Sequence, residues 1–184
     1  MFLKYFIYSA IFLLIAYIVF RVIIKKDYKK RFRLSPVSYL LEILVFATHA
    51  NLIYLALPTR WPNFPRLPEN LAIKIVSTII FGIGAIGLLI SWFSLGTKPS
   101  LGLDKNILRT NGLYKYSRNP QLVSYGLMLA SFTIMFFSYF ALIWLLLYIL
   151  ASNFMVKSEE EFLKQKYKGD YMEYCRQVPR IIKI

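Results

Sequence analysis

The stretch that decides the fold, residues 118–160, reads RNPQLVSYGLMLASFTIMFFSYFALIWLLLYILASNFMVKSEE. Its centre, residues 120–156, is apolar over 37 residues, with an Arg-Asn-Pro sequence before it and a Glu-Glu pair after it. That length is too great for one ordinary crossing of a hydrocarbon core of about 30 Å, but it suffices for two short helices at about 1.5 Å per residue. We therefore predict a helical hairpin that turns near Phe137-Ser138 and brings both charged motifs to one membrane face.

The rest of the chain is similarly apolar. Of its 184 residues, 58% are hydrophobic and 17% are aromatic, which exceeds what one soluble domain of this size can bury. We predict an all-α, polytopic membrane protein with a single domain and about five transmembrane helices. The predicted spans are residues 2–24, 35–57, 71–95, 120–137 and 139–156. Basic sequence follows the first span without a cleavage site, so we expect that span to be retained.

The distribution of charge predicts the topology. A net charge of +14 in a soluble chain would suggest nucleic acid, but here the basic residues lie beside the spans. Segments 25–33 and 96–119 hold six and five basic residues, whereas segment 58–70 holds two. Because cytoplasmic loops carry the excess of Lys and Arg, we predict an outside N-terminus and a cytoplasmic tail, residues 157–184. No nucleic-acid partner is expected.

The tail has helical periodicity. Apolar and aromatic residues recur there at steps of three and four, namely Leu163, Tyr167, Tyr171, Tyr174 and Val178. This spacing predicts one face of an amphipathic cytoplasmic helix that Pro179 ends and that lies over the mouth of the bundle. Cys175 and His49 are the only cysteine and histidine, so a CxxC pair and a cysteine-based zinc site are excluded and no metal is expected.

The loop ahead of the fourth span concentrates residues with local roles, Gly112, Tyr114, Tyr116, Arg118, Asn119 and Pro120. Proline suits the first turn of a helix and glycine permits a turn before it, so the loop should lead directly into that span. Tyrosine and arginine also favour the headgroup region of a bilayer. On local sequence alone, interfacial anchoring explains these residues as well as a binding site does.

The acidic run after the fifth span also has two interpretations. Ser158-x-x-Glu161 fits a capping box at the start of a tail helix. Glu159 and Glu160, however, are adjacent carboxylates close to the bilayer, and such groups need cationic or hydroxyl partners. A ligand could supply those partners.

Two further patterns lie inside spans. Gly82, Gly84 and Gly87 spell GxGxxG, but no strand precedes them, so a Rossmann site is excluded and close helix packing is the default interpretation. Glu42 and His49 lie seven residues apart on one face of the second span. Ionisable groups at membrane depth are suspected functional residues, with an interhelical hydrogen bond as the structural alternative.

In combination, these motifs resemble the integral-membrane methyltransferases of the isoprenylcysteine carboxyl methyltransferase and phospholipid N-methyltransferase type. The resemblance covers spans three to five and the tail. The family signature Gly-x-Tyr-x-x-x-Arg-His/Asn-Pro-x-Tyr is matched by Gly112, Tyr114, Arg118, Asn119 and Pro120. Leu122 stands where that family usually has tyrosine, and the Glu-Glu pair and the Gly-x-Gly of span three also match.

The resemblance implies an S-adenosylmethionine-dependent methyltransferase that releases S-adenosylhomocysteine. It implies a set of cofactor-binding residues, which are Gly82, Gly84, Gly112, Tyr114, Tyr116, Arg118, Asn119, Pro120, Glu159, Glu160 and Tyr171. Arg118 and Asn119 are the candidate catalytic residues, and Gly84 is preferred to Gly82 because it shares a helix face with Ser91. Glu42 and His49 would line the polar end of a lipid-like acceptor, either an isoprenylcysteine carboxylate or a phospholipid amine.

Two rival functions come from other classes. Membrane sterol reductases share a related C-terminal architecture, but they would require an NADPH site and a larger bundle. A non-enzymatic membrane scaffold explains the composition and charge equally well. It does not explain the spacing of the Arg-Asn-Pro and Glu-Glu motifs.

Overall fold

The structure is a computed structural model that describes residues 2–55, 63, 65–95 and 108–182. All regular elements of this part of the chain are helical. In chain order they are α1 (Phe2–Tyr17), a π-helical segment (Ile18–Ile24), α2 (Lys25–Arg31), α3 (Pro36–Leu52), a 3-10 turn (Ile53–Leu55), α4 (Leu71–Leu95), a 3-10 turn (Gly112–Lys115), α5 (Pro120–Met135) and α6 (Tyr139–Gln177).

The predicted all-α membrane architecture is confirmed. Within the described ranges, four helices are long and apolar enough to cross a membrane. The first consists of α1, the π segment and α2, which form one continuous helix, and α3, α4 and α6 are the others. The fifth, α5, is a shorter apolar helix of 16 residues. The described part of the chain thus has four or five helices that could span a membrane, and the bounds of the five expected spans stay a prediction.

The hairpin between α5 and α6 forms where the sequence predicts it. Pro120 occupies the first turn of α5, as its fixed φ favours. The side chain of Ser138 accepts a hydrogen bond from the backbone N–H of Ala141 at 3.1 Å and so caps the N-terminus of α6. The chain therefore reverses within residues 136–138, and the two helices return to the same end of the bundle.

The last helix differs from the prediction in one respect. α6 does not end with the expected span but continues to Gln177, and its whole length is 39 residues. Ser158 therefore lies inside a helix, and the capping-box interpretation is wrong. The tail helix is an extension of the last span, redirected by a kink at Lys168, whose φ is 43°. α6 ends at Gln177, two residues before Pro179, which cannot continue the helical hydrogen bonding.

Two groups of helices make up the bundle. The buried core joins α1, α3 and α6 through large apolar side chains, among them Phe12, Phe20, Val45 and Trp144. α4 instead packs along α5. A Cβ at Gly84 would lie 2.7 Å from the backbone oxygen of Ser124, and one at Gly87 would lie 2.6 Å from the Ser124 hydroxyl. These glycines let the two helices approach closely, as the packing interpretation of the glycine motif predicts.

The polar segments collect at one end of the bundle. Arg21 and Lys25, at the end of the first span, contact the second half of α6, and the loop before α5 contacts the C-terminal segment. At the opposite end, the hydroxyl of Tyr5 donates to the backbone oxygen of Phe140, at 3.2 Å, beside the hairpin turn. The predicted topology requires this common end, whereas its cytoplasmic assignment stays a prediction. Residues 96–107 of the third predicted loop lie outside the described residues.

Candidate functional site

An ion pair joins the two charged motifs that flank the hairpin. Nη1 of Arg118 lies 3.0 Å from Oε1 of Glu160, and the two side chains are only 14% and 10% exposed. The loop delivers the arginine immediately before α5 begins, and α6 delivers the carboxylate about one turn beyond its predicted span. The hairpin thus converts a separation of 42 residues in sequence into direct contact.

A second guanidinium completes this cluster. Arg180 donates from Nε to Oε1 of Glu160 at 3.0 Å and from Nη2 to Oε2 at 2.6 Å, in the forked geometry of strong arginine–carboxylate pairs. The hydrogen bond to Glu160 raises the pKa of Arg180 above its usual value. We name Arg118, Glu160 and Arg180 the RER cluster.

Sequence reasoning missed Arg180. The only signal was the helix stop at Pro179, which releases the chain in an extended conformation just before this residue. A basic side chain near the C-terminus is undistinguished in a sequence with 23 Lys and Arg residues.

Backbone contacts hold the loop against the C-terminal segment. The N–H of Arg118 donates to the oxygen of Pro179 at 3.0 Å, and the side-chain amide of Asn119 donates to the oxygen of Arg180 at 3.0 Å. The hydroxyl of Tyr174 donates to the oxygen of Tyr114 at 2.7 Å. Burial raises the pKa of Tyr174 to about 12. Asn119 and Tyr114 therefore fix the loop in place.

Gly112 permits the turn with which the loop begins. Its φ is +62°, and a Cβ there would lie 3.0 Å from the hydroxyl of Ser94 at the end of α4. A side chain would be strained by the backbone conformation and would also crowd Ser94. This position ties the end of α4 to the loop that carries Arg118.

The tail helix covers the RER cluster with its predicted face. Tyr171, Tyr174 and Val178 are buried together, and Tyr171 lies close to Arg118. Burial raises the pKa of Tyr171. Nη1 of Arg118 also donates to the thiol of Cys175 at 2.8 Å, whereas its Nε is buried without a hydrogen-bond partner in the described part of the chain.

The remaining predicted site residues in the loop and the acidic run differ in burial. Pro120 is buried at the start of α5, and Tyr116 is exposed. Glu159 is half-buried and points about 100° away from Glu160 around the helix. Of the predicted site residues outside the RER cluster, Tyr171 lies beside Arg118 and Glu160.

A second ionic cluster lies on another side of α6. Glu161 pairs with Nη2 of Arg21 at 2.8 Å and with Nζ of Lys25 at 2.7 Å. Burial raises the pKa of Glu161, but hydrogen bonds from Lys25 and Arg21 outweigh that effect and hold the pKa below its usual value. The adjacent carboxylates of Glu160 and Glu161 therefore have different cationic partners.

The residues predicted inside the membrane lie away from the RER cluster. His49 is buried between α3 and α6, where its Nε2 donates to the oxygen of Trp144 at 2.8 Å, and Nε1 of Trp144 donates to the oxygen of His49 at 2.7 Å. Their rings stack at 5.1 Å. This pair is the interhelical hydrogen bond that the sequence offered as the structural alternative. Glu42 is half-buried, seven residues nearer the start of α3.

The glycines of α4 also serve packing more clearly than binding. The space beside Gly84, the preferred candidate, is occupied by α5. At Gly82, a Cβ would meet no atom within 4 Å. Of the two, Gly82 leaves more room for a ligand, although α4 separates it from Gly84 by about 200° of rotation.

Comparison with known proteins identifies the chain at family level. A family model described as phospholipid methyltransferase matches residues 73–170, which is more than half of the chain. The match covers the loop with Arg118, the hairpin and Glu160, and it leaves out Arg21 and Arg180. Searches of curated proteins and of solved structures found no match. The chain belongs to the phospholipid methyltransferase family and is thus a multi-pass membrane methyltransferase.

Proposed function

We propose that this membrane methyltransferase uses S-adenosylmethionine and binds it at the RER cluster. The observation that carries the proposal is the convergence of Arg118 and Glu160 at one end of an apolar hairpin, inside the segment that the family model matches. A membrane scaffold would gain little from such a cluster, because a nonpolar contact would hold the helices without the cost of desolvating charges.

The residues of the cluster fit the charged parts of this cofactor. Arg118 and Arg180 carry two positive charges against the single charge of Glu160, which leaves a surplus for the cofactor carboxylate. The unpartnered Nε of Arg118 is a buried donor that still has capacity for an acceptor. Glu160, with Glu159 beside it, would accept from the cofactor ammonium or ribose hydroxyls.

When bound, the cofactor supplies a methyl group on a sulfonium, which transfers to a nucleophile in line with the breaking bond. The protein's main task is then to position the two partners. Arg118 would bind a negative group, Asn119 would hold the loop through Arg180, and Tyr171 would lie beside the bound cofactor. A carboxylate acceptor needs no general base, whereas a phospholipid amine must lose its proton before it takes the methyl group.

We further propose that the acceptor is a lipid-like amphiphile that enters from the bilayer. The spans expose apolar side chains on their outer faces, so partitioned molecules reach the protein at a much higher local concentration than soluble ones. A phospholipid amine agrees with the family description, and an isoprenylcysteine carboxylate is the other candidate.

The cofactor proposal is tested by isothermal titration of S-adenosylhomocysteine into detergent-solubilised protein. Binding should produce heat and raise the melting temperature, since a ligand at 100 times its Kd stabilises the folded state by about 2.7 kcal/mol. Glu160→Gln should weaken binding, and Glu173→Gln, in an exposed pair on the same helix, is the matched control. Absence of heat and of a melting shift at millimolar ligand would refute the proposal.

The acceptor proposal is tested by methyl transfer in vesicles from radiolabelled S-adenosylmethionine. Vesicles that contain phosphatidylethanolamine and vesicles that contain a farnesylated cysteine analogue provide the two arms. A chain-free analogue of each headgroup is the control and should be methylated far more slowly. Equal turnover of the chain-free and lipid forms would contradict entry from the bilayer.

A further inference from the structure

Two neighbouring carboxylates of α6 are held by different cations on two different sides of the helix. Glu160 pairs with Arg118 and Arg180, whereas Glu161 pairs with Arg21 and Lys25. Successive residues of an α-helix point about 100° apart, so a rotation of α6 about its axis would disturb both sets of contacts together. The partners of Glu161 therefore constrain where Glu160 points.

The contacts with the first span form a compact set, which we name the brace. Nη1 of Arg21 donates to the hydroxyl of Ser158 at 3.0 Å while its Nη2 binds Glu161 at 2.8 Å. The Ser158 hydroxyl in turn donates to the backbone oxygen of Phe20 at 2.8 Å. Lys25 adds the second cation, 2.7 Å from Glu161. One guanidinium thus holds α6 at two positions, one residue away from Glu160 on one side and two on the other.

The brace comes from an unusual element. Arg21 lies in the π-helical segment Ile18–Ile24, between α1 and α2. Such segments are rare, and they occur frequently at functional sites. This part of the chain lies before the matched residues 73–170, so the family match assigns it no role.

We propose that Arg21 is a positioning residue for the candidate cofactor site: it fixes the rotation of α6 and thereby directs Glu160 toward Arg118. The inference rests on the proposed function only for the identity of the ligand, because the contacts of Arg21 are contacts within the chain. Arg21 does not touch the RER cluster, and its effect passes through Ser158 and Glu161. Loss of the brace should loosen the cluster without removing any residue of it.

A ligand-free experiment uses the single thiol as a reporter. Cys175 is half-buried and accepts a hydrogen bond from Arg118, so its rate of reaction with a maleimide should rise when a loosened cluster exposes the thiol to the reagent. We expect Arg21→Gln to increase the rate several-fold and Arg21→Lys, which keeps the charge but loses the fork, to increase it less. Arg31→Gln, at an exposed arginine that pairs with Asp27 at 3.8 Å, is the matched control and should react at the unaltered rate.

Folding of each variant is verified by its circular dichroism and by its elution as a single species. Should Arg21→Gln fail to fold, Glu161→Gln is the milder variant, because that carboxylate is 41% exposed. It removes the ion pairs with Arg21 and Lys25, keeps the bond from Arg21 to Ser158, and should also raise the rate. A folded variant that lacks the brace yet reacts at the unaltered rate would overturn the inference.

A double-mutant cycle tests the same idea with ligand. With Glu160 present, Arg21→Gln should weaken S-adenosylhomocysteine binding about five- to tenfold, and in the Glu160→Gln background it should have little further effect. An equal loss in both backgrounds would show that Arg21 does not act through Glu160 and would overturn the inference. Absence of binding by the unaltered protein would refute the proposed function instead, and the thiol reaction would then decide the role of Arg21 by itself.

Discussion

Replacing Glu160 by glutamine removes the negative charge that Arg118 and Arg180 share while keeping the shape of the side chain. Two hydrogen bonds from Arg180, at 3.0 and 2.6 Å, and the ion pair with Arg118, at 3.0 Å, then lose their charged acceptor. The contact with Arg118 is buried on both sides, and a hydrogen bond to a charged group contributes about 1.5–3 kcal/mol. Arg180 is 42% exposed, so solvent screening reduces its share to about 1 kcal/mol or less.

The expected loss in free energy of unfolding is therefore about 2–4 kcal/mol, since Arg118 would keep its charge in a buried site. The assay is denaturant unfolding in detergent, followed by tryptophan fluorescence, with titration of S-adenosylhomocysteine on the folded variant. Glu173→Gln controls for the change of residue type, because its pair with Arg176 is exposed. If Glu160→Gln has the same free energy of unfolding as the Glu173→Gln control and binds the ligand as tightly as the unaltered protein does, the assignment of the RER cluster is refuted.

Three other predictions concern packing, capping of the loop and pH. Gly84→Ala should destabilise the protein by about 1–3 kcal/mol because its Cβ would collide with the α5 backbone, whereas Gly82→Ala should be close to neutral, and thermal melting compares them. Tyr174→Phe should cost about 1–2 kcal/mol, since the buried oxygen of Tyr114 loses its donor, and unfolding measurements would detect it. The pKa of Glu161 is lower in the folded state than its unfolded value near 4.5, so its ionised form stabilises the folded protein above that pH. This stability is lost as the pH falls through the pKa of the folded state, so Glu161→Gln should make the melting temperature less sensitive to acid.

The hairpin was predictable because its determinants are local. The length of the apolar run, the proline at position 120 and the serine at position 138 each specify a helix boundary without reference to the rest of the fold. Once the hairpin is accepted, the Arg-Asn-Pro and Glu-Glu motifs must meet. The contact between Arg118 and Glu160 was therefore accessible to sequence reasoning.

The partners of α6 were not predictable in the same way. Which cation meets Glu160 and which meets Glu161 depends on the rotation of α6, and that rotation is set by contacts with Arg21, more than 130 residues earlier in the chain. The capping-box pattern also failed to predict that α6 continues through Ser158, because a serine followed three residues later by glutamate is as compatible with a helix interior as with a cap. Arg180 became relevant only when the kink at Lys168 returned the chain to the loop.

The short fifth helix has a consequence for the level at which chemistry would occur. With 16 residues, α5 spans about 24 Å, whereas a typical hydrocarbon core is about 30 Å thick. A bilayer must thin locally around it, or the Arg-Asn-Pro turn must sit below the plane of the surrounding phosphates, at a cost of fractions of a kcal/mol per Å. In the second case the guanidinium of Arg118 would lie near the glycerol region, so a lipid could present its headgroup there without leaving its leaflet.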